Sequence, residues 1–183
     1  MKLLMHACCA PCSVYCVDTL RKEKIEPTLY WFNPNIHPYT EYKARRDCLK
    51  EYSEKMSLEV IWEENYGLDE FCKNVIDDLE NRCQKYCYPV RLEQTFQYAQ
   101  EHGYDTVTTT LLYSIYQQHD YIKTLCEKYA KEYGVDFLYR DFRVGFWEGH
   151  DKAKKEFNLY MQKYCGCIFS EEDRYNKHNS LKT

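Results

Sequence analysis

The stretch KLLMHACCAPCSVYCVDTLRK, residues 2–22, decides the fold. Lys2–Ala7 is a short apolar run typical of a buried strand, and Val14–Lys22 has the apolar spacing of a helix. The segment CCAPCS between them is predicted to be the connecting loop, with Pro11 suited to the helix start because it has no N–H to leave unpaired. A strand followed directly by a helix predicts the first unit of an α/β fold.

The same alternation continues along the chain. Further strands are predicted at Glu26–Phe32, Leu58–Trp62, Asp105–Leu111 and Val135–Tyr139, and further helices at Thr40–Met56, Leu68–Leu79, Val90–His102, Ile115–Tyr133 and Asp151–Phe157. This order predicts a parallel sheet with helices on both faces. We therefore expect one Rossmann-like α/β domain over residues 1–183, similar in layout to PP-loop and adenine-nucleotide-hydrolase-like folds, with its ligand beyond the carboxyl ends of the strands.

Composition narrows the functional classes. The chain has 183 residues and a net charge of −4, which does not favour a nonspecific nucleic-acid binder. It contains no apolar run near the roughly 18 residues that span a membrane. The N-terminus, MKLLMHACCAPCSVYC, is weakly like a signal peptide, but it continues into the predicted strand and helix. We therefore expect a cytoplasmic protein without a membrane partner.

Cysteine is the most informative residue type. The chain has 11 cysteines, at positions 8, 9, 12, 16, 48, 72, 83, 87, 126, 165 and 167. In a chain that looks cytosolic, clustered cysteines indicate metal or redox chemistry more often than structural disulfides. Cys16, Cys48, Cys72 and Cys126 lie among apolar residues on predicted helices, where small buried side chains are expected.

The remaining cysteines form three groups. Cys8, Cys9 and Cys12 follow the first predicted strand, where the helix N-terminus should lower their pKa values. Two of them, combined with Cys83 and Cys87, make a Cys₄ set that suits zinc or a 4Fe–4S cluster. Because CCAPCS contains no glycine, a phosphate-binding loop is disfavoured at this position.

The third group is the CGC sequence at Cys165 and Cys167, in a predicted C-terminal tail over residues 165–183. A structural zinc does not account for this pair. The spacing suits a dithiol that cycles with a strained and therefore easily reduced disulfide.

Polar and basic residues supply further candidates for substrate contact. Polar groups expected at the same sheet edge are Asn33, Asn35, His37, Tyr113, Gln117, His119, Asp120 and Asp141. Arg45 and Arg46 belong to a basic helix face, and Arg91 is a further cation; these could hold RNA phosphates. The alternative for the basic face is an ordinary solvated helix surface.

Six motifs carry a resemblance to a known family. They are HACCAPCS (6–13), WFNPNIHPYTEYKARR (31–46), RCQKYCYPVRLEQT (82–95), TTTLLYSIYQQHD (108–120), DFRVGFWEG (141–149) and YCGCIFSEEDRY (164–175). With these motifs in this order, the chain resembles the cobalamin-independent epoxyqueuosine reductases of the QueH family over nearly its whole length.

The resemblance implies a set of cofactor ligands. A 4Fe–4S cluster is expected on Cys8, Cys9, Cys83 and Cys87, although three residues separate the last two cysteines where the family usually has two. Cys165 and Cys167 match the redox-active pair of the family. A second, mononuclear iron beside the cluster is an open option, with Cys12 and an acidic residue as its candidate ligands.

The resemblance also implies an activity, the two-electron deoxygenation of epoxyqueuosine to queuosine at the tRNA wobble position, with an unknown electron donor. Candidate proton donors are Asp120, Asp141 and His119. Tyr39, Tyr42 and Tyr113 are candidates for stacking on the splayed bases of the anticodon loop. Two alternatives stand beside this hypothesis: a thiol–disulfide oxidoreductase with a structural zinc, and a zinc-stabilised RNA-binding module.

Overall fold

In the computed structural model, which describes residues 1–176, five parallel strands form one sheet in the order β3–β2–β1–β4–β5. The strands are β1 Leu3–His6, β2 Pro27–Trp31, β3 Val60–Trp62, β4 Thr106–Thr109 and β5 Asp136–Phe137. The central strand β1 is completely buried, as expected when helices cover both faces of a parallel sheet. The predicted Rossmann-like α/β fold is confirmed.

Seven α-helices accompany the strands in the described residues. They are α1 Ala10–Lys22, α2 Tyr39–Met56, α3 Leu68–Val75, α4 Tyr88–Glu101, α5 His119–Tyr133, α6 Phe146–Lys155 and α7 Ile168–Tyr175. Helix α1 packs against α2 and α6, and α4 packs against α5, so the two faces of the sheet have separate helical layers. None of the described helices is long and apolar enough to cross a lipid bilayer.

The strand order reverses next to β1. The chain runs outward from β1 to β3 and then returns to place β4 on the other side of β1, where His6 pairs with Thr109 at the carboxyl ends of both strands. Ligands of open α/β sheets bind at such a reversal. The residues that follow His6 and Thr109 are therefore the first place to look for a functional site.

Local hydrogen bonding moves two predicted boundaries at this point. Helix α1 begins at Ala10, with Pro11 in its first two positions, so Cys12 belongs to the helix and not to a loop. Strand β4 ends at Thr109, whose hydroxyl accepts a hydrogen bond of 3.1 Å from the Leu111 N–H and starts a 3₁₀ turn. Such side-chain capping stops a strand without any change in the apolar pattern.

The C-terminal part differs most from the prediction. Helix α6 begins at Phe146, five positions before the predicted start at Asp151, and the predicted tail contains an additional helix, α7. Cys167 is the residue immediately before α7. Residues 177–183 of the predicted tail lie outside the described residues.

Helix α6 and the turn before it pack closely on α1 through glycine. A Cβ atom on Gly145 would lie 1.9 Å from the ring of Tyr15, and a Cβ atom on Gly149 would lie 2.7 Å from the Tyr113 hydroxyl oxygen. The missing side chains let α6 approach the thiol-bearing helix α1.

Gly145→Ala is therefore expected to lower the free energy of unfolding by about 1–3 kcal/mol, because the Tyr15 ring must move out of a packed interface. Chemical denaturation monitored by circular dichroism measures the change. Gly103→Ala is the control, since a Cβ atom there meets no neighbour and tests only the backbone strain of its positive φ. Wild-type stability in Gly145→Ala would contradict the close packing of α6.

Candidate active site

Three cysteines meet where β1 passes into α1. The sulfur atoms of Cys8, Cys9 and Cys12 all lie within 4.8 Å of one another. Cys9 and Cys12 are buried, Cys8 is half-buried, and all three are free thiols. A buried group of three thiols could hold a metal, because thiolate is a strong ligand for zinc and for iron–sulfur clusters. In the described part of the chain, it is the sole group of three or more candidate ligands this close together.

Two polar side chains from distant parts of the chain bind these sulfurs. The Thr110 hydroxyl accepts a hydrogen bond from the Cys8 N–H at 3.0 Å and donates to the Cys8 sulfur at 3.3 Å. The Gln162 amide donates to the sulfurs of Cys9 and Cys12 at 3.0 and 3.6 Å. Groups of this kind orient the ligands of a metal and tune their basicity.

The three thiols differ in their acidity. Hydrogen bonds from the Cys12 and Cys9 thiols hold the pKa of Cys8 well below its usual range. Burial raises the pKa of Cys9, and the hydrogen bonds that Cys12 makes to Cys8 and Cys9 raise the pKa of Cys12. The expectation that the helix N-terminus lowers all three pKa values is therefore wrong for Cys9 and Cys12, because burial and the hydrogen bonds within the trio raise theirs.

A second thiol group lies before α4. Cys83 and Cys87 occupy the ends of a π-helical turn, and a hydrogen bond from the Cys87 thiol lowers the pKa of Cys83 to about 7. Cys87 is also hydrogen-bonded to Cys167, and both pack in a small apolar cluster with Phe71 and Val75. The predicted four-cysteine ligand set is thus drawn from two distinct thiol groups.

A cavity of about 630 Å³ opens beside the first thiol group. Its lining includes Cys8, Cys12 and Cys165 from the predicted cofactor and redox sites, together with four permanent cations: Arg45, Arg91, Lys163 and Arg174. None of its described lining residues is Asp or Glu, although the chain carries a net charge of −4. The cavity is therefore electropositive and suits an anionic or electron-rich ligand.

Arg91 is the most unusual cation of the lining. Its side chain is buried, and its Nε donates to the Cys87 carbonyl oxygen at 2.6 Å. Its Nη2 atom is buried without a hydrogen-bond partner among the described residues. Because Arg91 also lines the cavity, its positive charge favours an anionic group there.

Arg45 has a different role. Its Nε donates to Glu41 at 2.6 Å, and its two terminal nitrogens donate to the carbonyl oxygens of Cys165 and Tyr164, each at 2.9 Å. Arg45, which the sequence predicted to contact RNA, therefore forms a buried ion pair and holds the CGC segment beside the cavity.

The loop after β2 also supports the CGC segment. Asn33, Asn35 and His37 are buried and do not line the cavity. The His37 N–H donates to the Gly166 carbonyl oxygen at 2.8 Å, and the Tyr164 hydroxyl donates to the His37 carbonyl oxygen at 2.9 Å. The structure thus places this loop beneath Cys165, and it does not bring these predicted substrate contacts to the cavity surface.

His37 predicts a measurable pH dependence. Burial beside the rings of Tyr66 and Phe71 lowers its pKa to about 4. The unfolded chain, with a pKa of about 6.5, binds the proton more readily. As the pH falls from 6.5 to 4, His37 is expected to lower the free energy of unfolding by up to about 3 kcal/mol.

His37→Phe removes this contribution and keeps the main-chain hydrogen bonds. The free energy of unfolding of the wild type minus that of the variant, measured by urea denaturation, should therefore decrease as the pH falls from 6.5 to 4. Above pH 7 this difference should stay constant. Parallel profiles for the two proteins would contradict a neutral buried histidine.

The two cysteines of the CGC sequence face different surroundings. Cys165 lines the cavity, where its sulfur accepts a hydrogen bond of 3.4 Å from the Gln117 amide. Cys167 is buried against Cys87, and that hydrogen bond lowers the pKa of Cys167 to about 5. Both are free thiols. Their pairing as a redox disulfide stays a prediction, because it requires the Cys167 sulfur to leave Cys87.

Comparison with known proteins identifies the family. The family profile described as Epoxyqueuosine reductase QueH matches residues 3–173. The chain belongs to this family. A curated relative from Dehalococcoides mccartyi, named epoxyqueuosine reductase QueH, is 38% identical over 98% of this chain and 97% of the relative. Relatives of the same name from Thermotoga maritima and Histophilus somni are 33% and 32% identical, over 98% and 94% of this chain and 95% and 73% of their own lengths.

Two further predicted contacts of this QueH protein line the cavity. They are Gln117 and Tyr113; the Tyr113 hydroxyl donates to the Phe146 carbonyl oxygen at 2.7 Å, and its ring is largely buried. Tyr42 is 2% exposed, which leaves it no face for a base. Arg46 pairs with Asp47 and Glu64 outside the cavity lining.

The predicted proton donors do not line the cavity. Asp141 accepts two hydrogen bonds from the Arg143 guanidinium, at 2.8 and 2.7 Å, which lower its pKa and keep it a carboxylate. His119 lies 3.1 Å from the Tyr139 hydroxyl, and burial lowers its pKa. Asp120, beside it in α5, is also outside the lining.

Sequence reasoning missed several residues of the lining. They are Tyr116, Trp147, Gln162, Lys163 and Arg174. Tyr116 and Trp147 belong to two of the motifs that carry the resemblance. These motifs marked the two segments as important but did not indicate what either residue does. Gln162 has no such signal, because its contact with Cys9 spans 153 positions of sequence.

Proposed function

We propose that this QueH-family protein reduces epoxyqueuosine to queuosine at the wobble position of tRNA. The observation that carries the proposal is the cavity, which joins Cys8 and Cys12 of the thiol group, the Cys165 thiol and the Arg91 guanidinium at the reversal of strand order. Family membership supplies the substrate, because the curated relatives are named epoxyqueuosine reductases. Family membership also disfavours the two alternatives, a thiol–disulfide oxidoreductase and an RNA-binding module. We also propose that the protein acts in the cytoplasm.

The reaction removes one oxygen atom from an epoxide. Both C–O bonds break, a C=C bond forms, and two electrons and two protons convert the oxygen to water. Oxidation of Cys165 and Cys167 to a disulfide would release two electrons. Because the lowered pKa of Cys167 makes it a thiolate at neutral pH, the pair would release one proton, from Cys165, and solvent would supply the second. An external reductant must then restore the reduced pair.

The cofactor that we propose is a 4Fe–4S cluster held by Cys8, Cys9, Cys83 and Cys87. Free, clustered thiols and the unpaired positive charge of Arg91 fit such a group, whose bound form carries electrons one at a time. Cys12 stays the proposed cysteine ligand of a second iron. Because no described lining residue is Asp or Glu, an acidic ligand for that iron must come from outside the lining.

The chain's own groups bind the substrate and carry the proton. Arg91 lines the cavity, where its positive charge would favour binding of an electron-rich oxygen. Cys165 is exposed at the cavity, and a thiol with its ordinary pKa of about 8.5 keeps its proton at neutral pH. Cys165 is therefore better placed than Asp120 or Asp141 to protonate the leaving oxygen.

Genetic complementation tests the function. The gene is expressed in a bacterium that lacks its own epoxyqueuosine reductase and accumulates epoxyqueuosine in tRNA, and the tRNA nucleosides are quantified by mass spectrometry. We expect queuosine to replace epoxyqueuosine. Unchanged epoxyqueuosine in cells that contain the folded, iron-loaded protein would reject the proposal.

A further inference from the structure

We propose that Tyr116 and Trp147, exposed at the edge of the cavity, stack on single-stranded RNA bases that neighbour the base being reduced. The inference rests on the proposed function, since it takes an RNA loop as the substrate. It deepens that function by naming the surface that holds the loop. We call Tyr116, Phe146 and Trp147 the aromatic rim; all three line the cavity.

The outer rings of the aromatic rim are unusually exposed. Tyr116 is 78% exposed and Trp147 is 67% exposed, while most other large rings of the chain are buried or half-buried. Phe146 lies between them, with ring-centre distances of 5.8 Å to Tyr116 and 5.1 Å to Trp147 and interplanar angles of 83° and 82°. These edge-to-face contacts join the three rings while the two outer ones keep most of their surface free for a flat partner.

Two of the three rim residues are anchored to the fold. Phe146 and Trp147 are the first two residues of helix α6. The Tyr113 hydroxyl donates a hydrogen bond to the Phe146 carbonyl oxygen and so fixes the start of the helix. Close packing of Gly149 on Tyr113 keeps the helix in place. A rigid aromatic platform loses little entropy when a ligand stacks on it, so it binds more tightly than a mobile one.

Charge identifies the partner as a nucleic acid. Besides Arg45, which is paired with Glu41, the cavity lining contributes Arg91, Lys163 and Arg174 and, among its described residues, no carboxylate. Lys163 and Arg174 come from the C-terminal segment and add positive charge to the cavity that the aromatic rim also lines, which suits phosphodiester groups.

Stacking further requires bases that are not already stacked in a duplex. A cationic groove combined with exposed aromatic side chains is the arrangement that binds single strands. The rim is thus suited to the bases on either side of a wobble nucleotide that enters the cavity.

The aromatic rim is a better candidate for base stacking than the three tyrosines that the sequence suggested. Tyr42 and Tyr113 are 2% and 3% exposed, so neither offers a ring face. Tyr39 is 52% exposed but does not line the cavity. Tyr39→Ala is therefore a matched control that removes an exposed ring away from the proposed surface.

Binding of an RNA hairpin tests the inference. The probe is a fluorescently labelled anticodon-arm hairpin with guanine at the wobble position, added to the anaerobically purified protein. Trp147→Ala and Tyr116→Ala are each expected to raise Kd about tenfold or more, in line with the loss of one base–aromatic contact. Trp147→Phe, which keeps a ring, should bind within about threefold of wild type. Tyr39→Ala should bind like wild type.

The outcomes separate this inference from the proposed function. Wild-type affinity in both alanine variants with unchanged circular dichroism, or failure of the wild-type protein to bind the hairpin, overturns the inference. Turnover of epoxyqueuosine-containing tRNA by the wild-type protein is measured separately. Weakened hairpin binding in the variants without wild-type turnover supports the RNA surface and rejects the proposed reaction.

Discussion

Cys9→Ser is expected to abolish both metal binding and epoxyqueuosine reduction. Cys9 is 1% exposed, lies in the thiol trio and accepts the 3.0 Å hydrogen bond from Gln162. Serine keeps the size of the side chain but replaces a thiolate by a hydroxyl that stays protonated at neutral pH. We expect turnover to fall by about a thousandfold or more, as when one member of a catalytic unit is removed.

Iron and sulfide analysis with an absorption spectrum, followed by a tRNA turnover assay, measures both losses. Cys48→Ser is the matched control, since Cys48 is a buried cysteine of α2 that belongs to neither thiol group. A Cys9→Ser protein with full iron content and activity would exclude Cys9 as a ligand. Equal losses in Cys48→Ser would show that any buried cysteine is needed merely for folding.

The second large effect is expected from Cys165→Ser. This change removes the cavity-facing thiol proton and half of the proposed redox pair, while Arg45 still holds the main chain at this position. Loss of a general acid alone slows a reaction by about a hundredfold to ten-thousandfold. We expect at least that loss in turnover, with unchanged iron content and an unchanged absorption spectrum.

Cys72→Ser is the control for a half-buried cysteine outside the cavity lining. Retained turnover in Cys165→Ser would contradict both roles of Cys165. A loss of iron in this variant would instead make Cys165 a ligand and would remove the basis for treating it as a redox thiol.

Periodicity and spacing were sufficient for the architecture and for the location of the site. The alternation of strands and helices predicted the parallel sheet, and the placement of Cys8, Cys9 and Cys12 after the first strand predicted that thiols would lie at its carboxyl edge. Both predictions depend on local pattern and on a general rule of α/β topology. No contact between distant segments was needed to make them.

Roles that depend on distant contacts could not be predicted in this way. Asn33 and His37 do lie at the expected sheet edge, yet they are buried, because Asn33 donates to the Ala7 carbonyl oxygen and the His37 main chain bonds to Gly166 and Tyr164. Arg45 is charged and helical, but its partners are main-chain carbonyls about 120 residues away. Residue type alone cannot distinguish a side chain that supports a site from one that contacts its ligand.

The central claim is that this protein removes the epoxide oxygen of epoxyqueuosine in tRNA. The most direct measurement incubates epoxyqueuosine-containing tRNA anaerobically with the iron-loaded protein and a chemical reductant, and quantifies the tRNA nucleosides by mass spectrometry. We predict that queuosine, lighter by one oxygen atom, accumulates as epoxyqueuosine disappears, and that it does not accumulate with Cys9→Ser. Epoxyqueuosine that persists with the iron-loaded, reduced wild-type protein would contradict the claim.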